Sequence, residues 1–240
     1  MKTVELKIRE NTEQHMQELK QWLLEIADSG PEEMSAFFTA RIDGYEQHMS
    51  VWQPAYQRFA QLLPADSSSI LDLGCGTGLE LDEIFKRYPD AKVFGIDLCQ
   101  DMLDRLQQKH GHRNLETVCA DYCQYNFGSE KWDSVISFES LHHFLPDRKR
   151  QLYGKIYDAL KKGGVFLLGD YIACCEEEEQ LLRQVYADKR EKFKIPDSQF
   201  IHFDIPLTLE HETGLLQDAG FASITAADSI NGATIVYAVK

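Results

Sequence analysis

Ile70-Leu71-Asp72-Leu73-Gly74-Cys75-Gly76-Thr77-Gly78, followed by Val93-Phe94-Gly95-Ile96-Asp97, is the stretch that decides the fold of this chain. A short apolar run carrying an acidic residue opens into a glycine-rich turn, and about twenty residues later a second apolar run ends in a lone Asp. In a parallel α/β sheet this arrangement holds an adenosine, because glycines let the backbone approach the ligand and the carboxylate accepts hydrogen bonds from the ribose hydroxyls. A bare G-x-G-x-G is a weak signal. Asp72 before it and Asp97 at the next strand end make it specific.

Outward from that stretch, strands and helices alternate. A strand at about 69–73 leads through the glycine turn into a helix near 79–88, stopped by Pro89. Further strands are expected at about 92–96, 115–120, 133–138 and 165–169, with helices at about 100–110 and 146–162. The run from Asp133 to Phe138 has the dense apolar character of a strand covered on both faces. Lys161-Lys162-Gly163-Gly164 reads as a helix C-terminus, basic residues followed by glycine. Such alternation implies a doubly wound parallel sheet. Phe221–Ala226 and Ala233–Val239 read as two more strands joined by the hairpin dipeptide Asn231-Gly232.

The first 64 residues have a different character. Met16, Leu19, Leu23 and Ile26 form one helical stripe, Ser29-Gly30-Pro31 breaks the chain, and a second stripe runs through Met34, Phe37, Phe38, Ile42, Tyr45, Met49 and Trp52. Tyr45 and His48 carry polar tips beside that stripe and are expected to face a ligand. A second departure from strict alternation is an insertion at about 174–206. It opens with Glu176-Glu177-Glu178-Glu179, read as a solvated helix start rather than a metal site. Its aromatic stretch from Phe193 to Phe203 is expected at a pocket mouth.

Whole-chain properties narrow the function. The 240 residues suit one domain plus an appendage, and 25 basic against 39 acidic residues give a net charge of −14. The densest basic run, Arg148-Lys149-Arg150, is too short for a phosphate-backbone footprint, so nucleic acid is disfavoured and a small or cationic substrate is favoured. Six cysteines form no C-x-x-C pair, and no metal site is expected from them. The N-terminal Met1-Lys-Thr-Val-Glu-Leu-Lys lacks the apolar core of a signal peptide, and no apolar run approaches a membrane span. Reduced thiols in a cytoplasmic protein, monomer or homodimer, are the expectation.

The LDLGCGTG run with Asp97 resembles the first motifs of the class I S-adenosylmethionine-dependent methyltransferases, small-molecule type, and the resemblance covers about residues 65–240. It implies a mostly parallel seven-stranded sheet of order 3-2-1-4-5-7-6 with the last strand antiparallel, as the terminal hairpin already suggests, and a helical lid over residues 1–64. It further implies that Gly74, Gly76 and Gly78 pass under the methionine portion, with Asp72 organising the turn near the amino group. By the same resemblance Asp97 takes the ribose, Leu98 and Met102 line the nucleoside, and Asp121 and Tyr122 meet the adenine. Phe138 offers its backbone carbonyl to the ammonium, and Tyr45 comes from the lid.

A nicotinamide dinucleotide is the competing cofactor. Its pyrophosphate needs a helix N-terminus free of negative charge. Glu80, Asp82 and Glu83 occupy that first turn, and the third glycine follows one spacer rather than two. S-adenosylmethionine carries a cationic sulfonium and no phosphate, and so tolerates acidic neighbours. A non-catalytic sensor of the cofactor is the other class left open. Methyl transfer requires alignment and exclusion of water, with a base only where the acceptor arrives protonated. Glu139, His142 and His143 after the fourth strand, and Tyr171 after the fifth, lie at the ligand-binding edge of such a sheet and are the candidates for that role.

Overall fold

The computed structural model describes residues 6–240, so Met1–Glu5 of the N-terminal stretch read above lie outside the described residues. Helices α1 (Thr12–Glu25), α2 (Met34–Arg41), α3 (Tyr45–Met49) and α4 (Gln53–Leu62) precede the sheet. Then follow β1 (Ser69–Leu73), α5 (Leu79–Arg87), β2 (Lys92–Asp97), α6 (Gln100–His110), β3 (Leu115–Cys119) and β4 (Trp132–Phe138). The chain continues through α7 (Pro146–Ala159), β5 (Leu160–Tyr171), α8 (Glu176–Lys192), α9 (Leu209–Asp218), β6 (Ser223–Ile230) and β7 (Ala233–Val239).

The seven strands form one sheet in the order β3-β2-β1-β4-β5-β7-β6. β1 to β5 pair in parallel, with Leu71 opposite Phe94 on one side and Val135 on the other. β7 runs antiparallel to both β5 and β6. Asn231 and Gly232 both take positive φ in the tight turn before β7, as the hairpin reading requires. The expected order and the reversed last strand are both present.

Helices cover both faces, which is why β1 and β4 read as continuous apolar runs. One face packs Leu71, Leu73, Val135 and Phe166 against Tyr153 and Ile156 of α7 and Leu216 of α9. The other packs Ile70, Ile136 and Leu167 against Tyr56 and Phe59 of α4, Ile84 of α5 and Leu106 of α6. A third apolar cluster joins Leu23 of α1 to Leu182 and Tyr186 of α8 and to the 201–205 strap. No helix among the described residues is long and apolar enough to cross a membrane.

Several local readings differ from the structure, each for a physical reason. The helix expected to reach Lys162 ends at Ala159, because Leu160 already pairs with Trp132 in the sheet. The two glycines then form an irregularity inside a longer β5, with Gly163 at φ +77° and Lys161 Nζ 2.6 Å from Asp133. The second N-terminal stripe is three short helical pieces rather than one helix, because α2 stops before Asp43-Gly44 and α3 passes into a 3-10 turn at Ser50–Trp52. β6 starts later and runs further than expected, across a bulge between Ala226 and Asp228.

The Glu176–Glu179 run is not simply solvated. Glu178 and Glu179 are buried. Glu178 accepts from the Cys174 amide and the Tyr171 hydroxyl and contacts His15 Nε2, while Glu179 accepts from the Thr208 amide and pairs with Arg183 and His211. Lys149, the middle of the basic run, is also buried. Its ammonium stands 2.6 Å from Glu212 and 4.0 Å from Asp170, and Tyr153 donates to the same Glu212.

Removing one partner of a buried ion pair leaves the others uncompensated. Lys149→Met should therefore lose about 3 kcal/mol of stability in urea unfolding. The double variant Lys149→Met/Glu212→Leu should recover most of it, since an apolar replacement of both partners removes the stranded charge. A single variant within about 1 kcal/mol of wild type contradicts this view of the core.

Candidate active site

The glycine turn sits at the carboxyl end of β1, beside the crossing to α5. Gly74 and Gly78 need φ of +76° and +75°, the left-handed region that a side chain strains. A Cβ on Gly74 would stand 2.1 Å from Ser140 Oγ, and one on Gly78 2.4 Å from Leu106. At the end of β2, Asp97 ties the turn to the next corner, with Oδ2 accepting from Gly76 N and Oδ1 from Cys99 N, both at 2.8 Å. Burial raises the pKa of Asp97 despite these bonds. Each oxygen retains a lone pair for a further donor.

Beneath the turn lies a second pair of carboxyls. Asp72 is fully buried and faces Glu80 from the first turn of α5. Neither Asp72 oxygen nor Glu80 Oε1 has a hydrogen-bond partner among the described residues. Two ionised carboxylates cannot bond each other, so one must keep a proton or a cation must come between them. Burial pushes Asp72 well above the usual carboxylate range and Glu80 up to about 7.

Two cavities open at this edge of the sheet. The narrow one, about 60 Å³, is lined by Gly74, Gly76, Asp97, Leu98, Met102, Tyr122 and Phe138, with Met34 and Phe38 of α2 and Phe200 of the strap. It is far below the roughly 300 Å³ of a small-molecule site. The wide cavity, about 600 Å³, is walled by Phe37, Trp52, Arg41 and His48 on one side and by His142, His202 and Asp204 on the other. Phe38, Tyr45, Glu139 and His143 line both.

Buried polar groups crowd the far wall. His142 Nδ1 lies 2.6 Å from Asp170, and Asp204 stands 3.5 Å from His142 Nε2 and 3.3 Å from His143 Nδ1. Burial opposes charge on His142, but Asp170 and Asp204 outweigh it and hold its pKa well above the ordinary value. Burial and the adjacent charge of His142 push His143 well below. Burial lowers His202 to about 4 and raises Glu139 to about 8. Glu139 also takes φ +48°, an uncommon conformation for a non-glycine residue.

Of the residues singled out from the sequence, Tyr45, Gly74, Gly76, Asp97, Leu98, Met102, Tyr122, Phe138, Glu139, His142 and His143 line one cavity or both. Asp72 and Gly78 lie behind the turn and outside the lining. Asp121 is engaged elsewhere, 2.7 Å from Arg148 and 2.8 Å from the Cys123 amide. The Tyr171 hydroxyl donates to Glu178, and Tyr171 is in neither lining. The sequence reading passed over Glu80 as a ligand group, and His202 and Asp204 altogether. His202 and Asp204 are two apart on an extended strap, which puts them on one side, and that spacing was the available signal.

The segment over the cavities is tied down at its two ends, by Met34 N to Phe200 O and by Asn231 Nδ2 to Val51 O, and between them by surface pairs. Thr39 donates to Asp101, Arg105 pairs with Asp43 at 2.7 Å and Lys109 with Glu46 at 3.0 Å, all near the surface. Exposed pairs of this kind are worth about 0–1 kcal/mol each.

Comparison with known proteins agrees with this fold. Residues 70–164 match a family profile described as a methyltransferase domain. The chain is similar to a carboxy-S-adenosyl-L-methionine synthase of Nautilia profundicola, 24% identical over 73% of this chain and 79% of that protein. It is also similar to a malonyl-[acyl-carrier protein] O-methyltransferase of Acetivibrio thermocellus, 28% identical over 68% of this chain and 56% of that protein. Human N-acetylserotonin methyltransferase, solved in complex with S-adenosylmethionine, shares the fold, with a TM-score of 0.61 and 20% identity over 82% of this chain and 54% of that one.

Proposed function

We propose, from the premise that this chain belongs to the class I S-adenosylmethionine-dependent methyltransferases, that it methylates a small molecule held in the wide cavity. The observation that carries this reading is the wall of four residues shared by the two cavities. A cofactor in the narrow cleft and an acceptor in the wide one would meet at Phe38, Tyr45, Glu139 and His143. When bound, the cofactor supplies an electrophilic methyl carbon on a positively charged sulfur, which an acceptor lone pair displaces in line.

The residues present fit that cofactor. Asp72 and Glu80 lie beneath the glycine turn and line neither cavity, so they would act on an ammonium group from behind the turn, while Phe138 lines the narrow cleft itself. Gly74 and Gly76, which line the narrow cleft, would clear space for the methionine portion. Asp97 has lone pairs for the ribose hydroxyls, Leu98 and Met102 give apolar contact to the nucleoside, and the Tyr122 ring lies on the adenine side. Asp121 would have to release Arg148 to accept from an adenine amino group.

Residues at the junction govern the acceptor. The aromatic side chains of Phe37, Phe38 and Trp52 bury its body, and the His142–His143–Asp204 cluster meets its polar end. Substitution there should slow turnover and spare cofactor affinity. The relative named carboxy-S-adenosyl-L-methionine synthase raises a product with a carboxylate beside the sulfur. Here the junction presents Glu139, whose carboxyl burial pushes up to about 8, and a neutral His143, so it offers no cation to a carboxylate on the transferred carbon, which supports an uncarboxylated methyl group. Six unpaired cysteines support the cytoplasm as its location. Production of S-adenosylhomocysteine from a panel of small-molecule acceptors is the test of function, and no product with any acceptor counts against it.

Asp97→Ala should weaken S-adenosylhomocysteine binding roughly a hundredfold by calorimetry, since charge-assisted hydrogen bonds are worth about 1.5–3 kcal/mol each. NAD should not bind at all. Tight NAD binding, or an unaffected variant, contradicts the cofactor assignment.

The narrow cleft cannot admit a nucleoside as it stands, so we expect residues 34–52 to act as a lid that opens and then closes on the ligand. Amide exchange across 34–52 should slow severalfold once S-adenosylhomocysteine binds. Unchanged exchange there, with saturating ligand, would reduce this segment to a fixed wall.

A further inference from the structure

We propose that His142, His143 and Asp204 bind a divalent transition-metal ion whose open positions take an oxygen of the methyl acceptor. The sequence reading expected no metal, and the cysteines it considered are not the ones involved. The ligand atoms of His142, His143 and Asp204 all lie within 4.8 Å of one another. Asp204 Oδ1 is 3.5 Å from His142 Nε2 and 3.3 Å from His143 Nδ1. Ligands about 2.0–2.2 Å from a common ion at tetrahedral angles are separated by roughly that much. The spacing fits a site around a central ion, which would displace the proton that His142 Nε2 otherwise directs at Asp204.

A second observation concerns the other face of His142. Its Nδ1 lies 2.6 Å from Asp170 Oδ1, and Asp170 is fully buried. A metal-ligating imidazole characteristically donates its remaining ring N–H to a carboxylate, which fixes the tautomer and aims the other lone pair at the ion. Asp170 would do this for Nε2, the nitrogen that faces Asp204. The Lys149 ammonium stands 4.0 Å behind Asp170.

The backbone also fixes the three groups relative to each other. His142 and His143 sit in the 3-10 turn after β4, Leu141–His143. The strap carrying Asp204 is pinned to that turn by a 2.8 Å bond from Ile205 N to His142 O. In the absence of an ion, His143 Nδ1 is placed to donate to the Phe203 carbonyl at 3.2 Å. With an ion, the same nitrogen would give its lone pair instead and carry its proton on Nε2. All three side chains line the wide cavity, so the ion's remaining positions face the acceptor space.

Two imidazoles and one carboxylate suit Fe, Co or Zn in the divalent state and leave room for exogenous ligands. The acceptor's place on the ion rests on the methyl-transfer reading above; the ion site itself does not. The acceptor class implied is a hydroxyl or enol, with a second oxygen close enough to chelate. Coordination would lower the pKa of such an oxygen so that its proton leaves to water; the O–CH3 or C–CH3 bond then forms as the S–CH3 bond breaks and S-adenosylhomocysteine leaves.

The test uses the full chain after treatment with EDTA, titrated with Co2+ and followed by visible absorption without any cofactor. One equivalent should bind with the bands of a nitrogen and oxygen site. Asp204→Asn and His142→Ala should each weaken binding at least tenfold, and Asp170→Asn by about 10–100-fold, with circular dichroism confirming the fold of each variant. Cys174→Ser is the control, because His15, Cys174 and Glu178 form a separate candidate cluster. Absence of binding at millimolar Co2+ overturns the site. A spectrum lost in Cys174→Ser and kept in Asp204→Asn also overturns it, since the ion then belongs to the other cluster. Methyl transfer by the EDTA-treated protein at an undiminished rate overturns the ion's role while leaving the methyltransferase reading intact.

Discussion

A buried pair of facing carboxyls under the glycine turn is the constraint on which the site depends. Asp72 is carried on a central strand, fully enclosed, with Glu80 facing it from α5 and Asp97 close by. Burial of an isolated carboxylate is costly unless a donor or cation compensates it. Asp97 is compensated by two backbone amides, which in turn lock the glycine turn against the start of α6. Asp72 and Glu80 have no such amides and face each other instead, so one of the two keeps a proton. The pair gives up that proton only where a cation reaches it from outside.

Much of the fold was legible from sequence because its signals were local. The apolar runs, the glycines and the Asn231-Gly232 turn each dictate backbone geometry within a few residues and mark the strands; the order that the family resemblance implies is the observed one. What misled was competition between local and long-range pairing. Lys161-Lys162-Gly163-Gly164 has the chemistry of a helix end, yet the pairing of Leu160 with Trp132 drew the chain into β5 one turn earlier. Glu178 and Glu179 look solvated in a run of four, and only the approach of Tyr171, Cys174, Thr208 and His211 explains their burial.

The site divides along the same line. Residues at strand ends, Asp97, Phe138, Glu139 and His143 among them, were readable because the carboxyl edge of a parallel sheet is where its ligands bind. Their partners were not. His202 and Asp204 come from an insertion whose path over the sheet is set by tertiary contacts such as the bond from Ile205 to His142. Tyr171 ends β5 rather than following it, and its hydroxyl is spent on Glu178 rather than on a cavity. α2 and α3, with the strap, close the two cavities against each other and so determine which four residues stand between them.

The central claim is that the buried carboxyl pair recognises the positive charge of an S-adenosyl ligand. Below pH of about 7 the Glu80 carboxyl holds its proton, and binding of an ammonium must expel it. Affinity should therefore rise with pH up to about 7 and level off above. Calorimetry from pH 5.5 to 8 with S-adenosylhomocysteine, which carries the ammonium, and with 5′-methylthioadenosine, which lacks it, measures this directly. The account predicts a rise of about tenfold per pH unit below neutrality for the first and a flat profile for the second. Parallel profiles for the two ligands would contradict it.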